Sequence, residues 1–342
     1  MDLNLGGILT ILLIIMGISL AFSIGANDET LATLIGAGVL KFNFALMAGG
    51  FAVGFGMVFL SQGVGKTVGA DILGPGVNYS IFMLLAVLIS SIAWLIIGSL
   101  AGIPLSSTHS TVGSIFGVLI IYSLFQGGVN PANALNYEKL LNVVLSWFLS
   151  PFFGLVITYF LFKILIKFFL SKLKGLNQIE KTERRMKWLL LISVLFAEIW
   201  VGANSAECVG IFYGLYNSGS ISSTNYFVFV IICGIFVFLG IYFAGRFVIR
   251  NLASQMTNAR PSEGLILQSS SSIILMIATF LALPISHSHV IVFCILGMNM
   301  VQDKEIDKKA VGKMAIYWFL TFPIAAILAG LIYFFFILGG LY

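Results

Sequence analysis

The chain has 342 residues, of which 59% are hydrophobic and only 9% charged, with a mean hydropathy of +1.07 and a formal net charge of +5. A soluble domain carries about a quarter charged residues, so this chain cannot cover a water-facing surface and reads as an all-α integral membrane protein. Continuous apolar runs of about 20 residues suit a membrane-crossing helix and exclude the alternating strands of a β-barrel.

In chain order, the first predicted spans lie near 5–24, 43–62, 80–100, 111–126 and 140–170. The rest lie near 187–203, 222–244, 266–283, 288–300 and 311–341. Asp2 precedes the first span and no early Lys or Arg does, unlike a cleavable secretory leader. Spans 111–126 and 288–300 are short for a full crossing and are expected to be half-helices. Cys208, Cys233 and Cys294 sit in or beside apolar segments without metal-ligand spacing, and are read as packing residues.

Between these spans the basic residues fall in three patches. Lys163 to Lys187 contains eight, Arg246, Arg250 and Arg260 follow, and Lys304, Lys308, Lys309 and Lys313 complete 15 of the chain's 18 Lys and Arg. The positive-inside rule assigns such patches to the cytoplasm. The connections 65–79 and 127–138, and both termini, are then extracytoplasmic. Placed this way, the positive excess implies no nucleic-acid partner.

The chain also repeats. Gly25-Ala26-Asn27-Asp28 returns as Gly202-Ala203-Asn204-Ser205, an offset of 177. Pro104-Leu105-Ser106-Ser107-Thr108-His109 returns as Pro284-Ile285-Ser286-His287-Ser288-His289, an offset of 180. Five spans per copy, an odd number, turn the second copy upside down. The expected organisation is a first inverted repeat at 1–170, a cytoplasmic basic linker at 171–186 and a second inverted repeat at 187–342. Inverted-topology repeats with broken helices or re-entrant hairpins characterise secondary transporters, with substrate near mid-membrane.

The motifs have a chemistry that fits. Proline removes one N–H and disfavours a helical residue before it, so Pro104 and Pro284 mark breaks. A helix restarting after each break points N–H groups and its positive end at whatever lies ahead, which favours an anion. Ser107, Thr108, Ser286 and Ser288 add hydroxyl donors. All three histidines of the chain, His109, His287 and His289, lie in the same motifs. Membrane hydroxyls often only bond the preceding turn or a neighbouring helix, but their matched placement in two breaks points to a site. Asp28, Glu29, Glu198 and Glu207 flank the Gly-Ala-Asn copies, and carboxylates in hydrocarbon are functional candidates. Asn27, Asp28 and Asn204 offer the hard oxygens a Na⁺ ion requires, and a proton could bind the same carboxylate. Glu198 could equally make a buried helix–helix hydrogen bond. Gly49, Gly50, Gly54 and Gly56 suit close helix packing. Gly63-Val64-Gly65-Lys66-Thr67 lacks the spacing of a phosphate loop, because Leu60 stands where its first glycine belongs.

Taken together, these segments resemble the inorganic phosphate transporter (Pit) family of ion-coupled symporters, over essentially the whole chain. The resemblance rests on GANDETLATLIGAG at 25–38, PLSSTHSTVG at 104–113 and their second copies at 202–210 and 284–293. Gly245-Arg246-Phe247 through Thr257, with Pro261-Ser262-Glu263-Gly264, is similar to the family's basic intracellular segment. The resemblance implies a multi-pass symporter of the cell membrane, surrounded by lipid and homodimeric, that carries inorganic phosphate with Na⁺ or H⁺. It implies no enzyme activity and no cofactor. Carried onto matching positions, Asp28, Ser107, Thr108, Ser286 and Ser288 stand on the anion side, with His109, His287 and His289 beside them. Asn27 and Asn204 stand on the cation side as Na⁺ ligands, with Asp28, Ser205 and Glu207. The chain departs from the family at Ser205, usually aspartate, and at Leu31 and Cys208, usually asparagine. Its second tip reads SHSH rather than STTH. These departures leave sulfate or another tetrahedral oxyanion open as the cargo. An anion channel or membrane receptor is the alternative of another class, although a channel would not require inverted halves with matched breaks. A membrane enzyme pairing His109 with Asp28 would lack a nucleophile or a metal set.

Overall fold

Hydrocarbon offers a backbone no hydrogen-bond partner, so a helix that satisfies itself is the one open structure available to runs such as LGGILTILLIIMGISLAFSIGA. The computed structural model describes residues 5–100, 105–125, 131–255, 260–304 and 308–341, and every regular element among them is helical. Pro104, Thr257 and part of the 127–138 connection lie outside the described residues. The first part runs α1 (Leu5–Ala26), α2 (Ala32–Gly36), α3 (Phe42–Leu60), α4 (Gln62–Lys66), α5 (Ile81–Leu100), α6 (Ser107–Phe125), α7 (Pro131–Ala134) and α8 (Tyr137–Phe168). The second runs α9 (Leu176–Asn204), α10 (Glu207–Asn217), α11 (Ser223–Gly240), α12 (Arg246–Gln255), α13 (Pro261–Phe280), α14 (His287–Val301) and α15 (Lys308–Leu338). Among the described residues, eight helical stretches are long and apolar enough to cross a membrane, and Ile81–Ile97 and His287–Val301 are shorter apolar helices.

Three elements differ from the sequence expectation. The segment expected at 111–126 as a short half-helix is a 19-residue helix that already begins at Ser107. Ser106 makes this start possible, its hydroxyl accepting from His109 N at 3.3 Å and its carbonyl from Ser110 N at 3.1 Å. The connection at 65–79 contains the end of α4 and a π-helical turn, Thr67–Asp71, packed against α10. The basic linker at 171–186 is largely helical, because α9 begins at Leu176 and Glu180 pairs with Arg184 one turn on, at 3.5 Å.

The helices pack in matched pairs drawn from the two parts of the chain. Helix α1 lies on α11 and α3 on α9, while α6 lies on α15 and α8 on α14. Glycine makes the first two crossings close. A Cβ on Gly25 of α1 would run into the Val237 carbonyl of α11, and one on Gly240 would run into that of Phe22. Gly56 and Gly202 stand in the same relation to Ile199 and Val53 across α3 and α9. Small residues at membrane-helix contacts let backbones approach and gain dispersion energy where no hydrophobic drive exists.

The polar ends sort into two groups. Glu183 accepts from Ser262 N at 3.0 Å and from its hydroxyl at 2.7 Å. Glu263 accepts from Gln302 at 2.6 Å and lies 3.9 Å from Lys304, while Lys187 donates to the Gly38 carbonyl at 3.2 Å. Residues from all three basic patches therefore gather. The connections at 65–79 and 127–138 meet one another instead, through Gly74 N to Ala134 O and Asn136 N to Ile72 O, each 2.9 Å.

Candidate functional site

Two interruptions of helix build the site. Helix α1 ends at Ala26 and the chain turns before α2, while α9 ends at Asn204 and α10 restarts at Glu207. The first turns of α6 and α14 come to the same place. Between them lies a cavity of about 80 Å³, room for a few waters or one small polyatomic ion. Asn27, Asp28, Glu29, Ser106, Ser107, Thr108, Ser205, Ser286, His287 and Ser288 all contribute to its wall.

Asp28 is buried and has its two oxygens in different circumstances. Oδ1 accepts from Thr30 N at 2.8 Å, closing the turn that leads to α2, whereas Oδ2 has no hydrogen-bond partner. The Glu198 carboxyl, wholly buried on α9, is in contact with it, and both of its oxygens lack a donor. The His287 imidazole also faces Asp28, with its Nε2 buried and unpartnered. Two carboxyl groups and an imidazole thus meet beside the cavity. Such a place suits a cation or a proton-bearing group.

The tip hydroxyls are already engaged. Ser107 donates to Glu207 Oε1 at 3.0 Å and Thr108 donates to the same oxygen at 2.6 Å. Thr108 Oγ1 also lies 3.4 Å from the Ile285 carbonyl, across the cavity mouth. Glu207 opens α10, so its carboxyl sits where the positive ends of α10 and α6 meet. Glu29 and Ser288, at the start of α14, both line the cavity. Ser286 caps α14 without a side-chain bond to its first turn.

Asn204 occupies a different role from the one its motif suggests. Its Oδ1 accepts from Ile285 N at 2.9 Å, and its Nδ2 donates to Leu283 O at 3.0 Å and Thr279 Oγ1 at 3.1 Å. Trp147 Nε1 donates to Pro284 O at 2.9 Å, and Thr67 donates to Ala282 O at 2.7 Å. The backbone freed by the break around Pro284 is thereby satisfied by side chains. Asn27 is exposed and donates to the Ser23 carbonyl of α1 at 3.0 Å, just past the helix end.

The structure therefore brings Asn27, Asp28, Ser107, Thr108, Ser205, Ser286, His287 and Ser288 to one cavity wall. It does not bring His109, His289, Asn204 or Glu207 there. His109 stacks on His289 with ring centroids 4.6 Å apart. Trp147 and Trp318 flank the pair, each 3.9 Å from the nearer ring. These four rings line a separate apolar cavity between α8 and α15. Trp147, Thr67 and Thr279 are structural participants that the motifs did not single out. Only their place on helices facing the Pro284 break could have suggested them. Among the described residues, no group of three or more His, Cys, Asp or Glu could hold a metal ion.

Comparison with known proteins gives a consistent picture. The profile of PHO4, the phosphate transporter family, matches residues 24–329. A Bacillus subtilis protein described as a "probable low-affinity inorganic phosphate transporter" is 29% identical, covering 96% of this chain and 97% of its own. One from Rhizobium meliloti with the same description is 27% identical and covers 98% of each chain. A solved structure described as "The sodium-dependent phosphate transporter" shares the fold, with a TM-score of 0.83 at 22% identity, over 96% of this chain and 99% of that one.

Proposed function

This chain belongs to the phosphate transporter family, and we propose that it is a secondary active symporter that carries inorganic phosphate across the membrane together with Na⁺ or H⁺. Its family and relatives are transporters and not enzymes. The reading is carried by one observation: the first turns of α6 and α14 and the interrupted end of α1 converge on a single small cavity walled by hydroxyls and a buried carboxylate. Helix starts and hydroxyls supply donors for a tetrahedral oxyanion. Asp28 Oδ2, which lacks a donor, supplies an acceptor for the coupling cation or for the proton that phosphate carries. Sulfate brings no such proton at neutral pH, so the carboxylate favours phosphate.

The matched helix pairs support two repeats of inverted topology, 1–170 and 187–342, with the cavity at their contact. The end where the basic patches gather then faces the cytoplasm, and the end where 65–79 meets 127–138 faces outward. The solved transporter of similar fold is described as sodium-dependent, which supports Na⁺ as a coupling ion. The paired carboxyls of Asp28 and Glu198 leave H⁺ equally open. Labelled phosphate uptake into proteoliposomes, under separate Na⁺ and proton gradients, tests the proposal. Accumulation above the external concentration under one gradient is expected, with sulfate competing poorly. Flux that only dissipates the phosphate gradient would identify a channel instead.

A further inference from the structure

The hydroxyls that should greet an incoming oxyanion are not free. A hydroxyl has one proton to donate, and both Ser107 and Thr108 give theirs to Glu207 Oε1, at 3.0 and 2.6 Å. What these side chains turn to the cavity is therefore lone pairs. Glu207 itself is fully buried, lies outside the cavity wall, and leaves Oε2 without a partner. Its carboxyl occupies the meeting point of two helix starts, the position an anion would be drawn to. The carboxyl of one interrupted helix thus holds the tip hydroxyls of the other part of the chain.

We propose that Glu207 is a resident competitor for the substrate's hydroxyl donors and so sets the phosphate affinity of the site, an inference that rests on the phosphate reading above. To bind, phosphate must take over the hydrogen bonds that Ser107 and Thr108 donate to Glu207, so part of its binding free energy is spent releasing that contact. The same exchange couples occupancy to structure. While Glu207 holds the tip, α10 is tied to the start of α6. When phosphate holds it, that tie is open, and the two helices are free to separate as the cavity changes its side of access. Glu207 is a positioning residue on this account and need not touch phosphate.

The test is equilibrium binding of radiolabelled inorganic phosphate to the purified full-length protein, compared with Glu207→Gln and Glu207→Met. Glutamine keeps an acceptor but loses the charge that strengthens the bond, while methionine fills the space with no oxygen acceptor. The expected order is a dissociation constant lowered several-fold by Gln and by about tenfold or more by Met. In uptake assays KM and kcat should fall together, because a tighter ground state without the competing contact slows release. A merely structural Glu207 would lower stability without tightening phosphate binding, and would leave this joint fall of KM and kcat absent. Unchanged or weaker phosphate binding in a folded Gln variant overturns the proposal, and Gln serves if Met does not fold. Loss of only the Na⁺-stimulated part of binding also overturns it, by making Glu207 a cation ligand. If the parent protein binds no phosphate, the functional reading and this inference fall together. Parent binding with no change in the variants removes this one alone.

Discussion

The two Gly-Ala-Asn segments share three letters and perform different tasks. Asn204 is buried and spends both amide atoms on the connection between α13 and α14, while Asn27 is exposed and bonds only the carbonyl one turn back. The next residue differs in the opposite sense. Asp28 brings a carboxylate to the cavity wall with one oxygen unpartnered, whereas Ser205 brings a neutral hydroxyl. One segment braces a break in the backbone and the other presents charge. The difference teaches that a repeat can preserve helix interruption in both copies while concentrating the chemistry in one.

The largest effect should come from removing that charge. Asp28→Asn keeps size and the hydrogen bond to Thr30 N while deleting the one carboxylate of the two motifs. We expect it to insert normally and to lose concentrative uptake under both Na⁺ and proton gradients, to the level of protein-free vesicles. Steady-state uptake at matched protein amounts measures this. Accumulation equal to the parent would erase the functional contrast between the segments and move coupling to Glu29 or Glu207.

Next comes the brace. Asn204→Ala removes three hydrogen bonds and leaves the Ile285 amide buried without its acceptor. The expected cost is about 2–4 kcal/mol of stability, read as a lower midpoint in thermal unfolding in detergent. A midpoint equal to the parent would show that the break near Pro284 is held by Trp147 and Thr67 alone.

Thr108→Val sharpens the same contrast at the tip that both segments face. Valine fills the threonine's space without the hydroxyl, which bonds Glu207 before phosphate arrives and phosphate afterwards, so binding loses only the difference between two charge-assisted bonds. Phosphate binding should weaken several-fold. Near-parent affinity in the folded variant would mean that the α6 tip contributes backbone donors and not this hydroxyl.

Much of the architecture was legible in the sequence because membrane helices leave a one-dimensional record. Apolar runs mark spans, and the basic patches that flank them do gather at one end through Glu183–Ser262 and Glu263–Lys304. The break before α14 was legible too, since Pro284 acts on its own backbone. What a side chain faces is another matter. Ser107 and Thr108 meet Glu207 from about a hundred positions away, and nothing in either motif encodes that partner. Asn204 reads as an oxygen ligand by type, but the donor it meets is a backbone amide 81 residues on. His109 and His289 share the tip motifs and yet turn aside into a stack between two tryptophans, because successive residues at a helix start point in different directions. Helix α10 leaves no such record because its 11 residues are too few for a span, although eight of them are buried.

The smallest expected effect completes the comparison. Asn27→Ala removes an exposed side chain whose amide donates to Ser23 O in the last turn of α1, so no buried group loses a partner. Exposed substitutions of this kind change stability by about 0.5 kcal/mol or less, and the thermal midpoint should stay at the parent value. Asn27 nonetheless lines the cavity beside Asp28. If its amide oxygen serves the coupling cation, the variant should need more Na⁺ for half-maximal uptake while its response to a proton gradient is unchanged. The two readouts separate the roles that one motif letter combines. A stability loss comparable to that of Asn204→Ala would mean that both segments are braces, and the asymmetry between them would reduce to Asp28 alone.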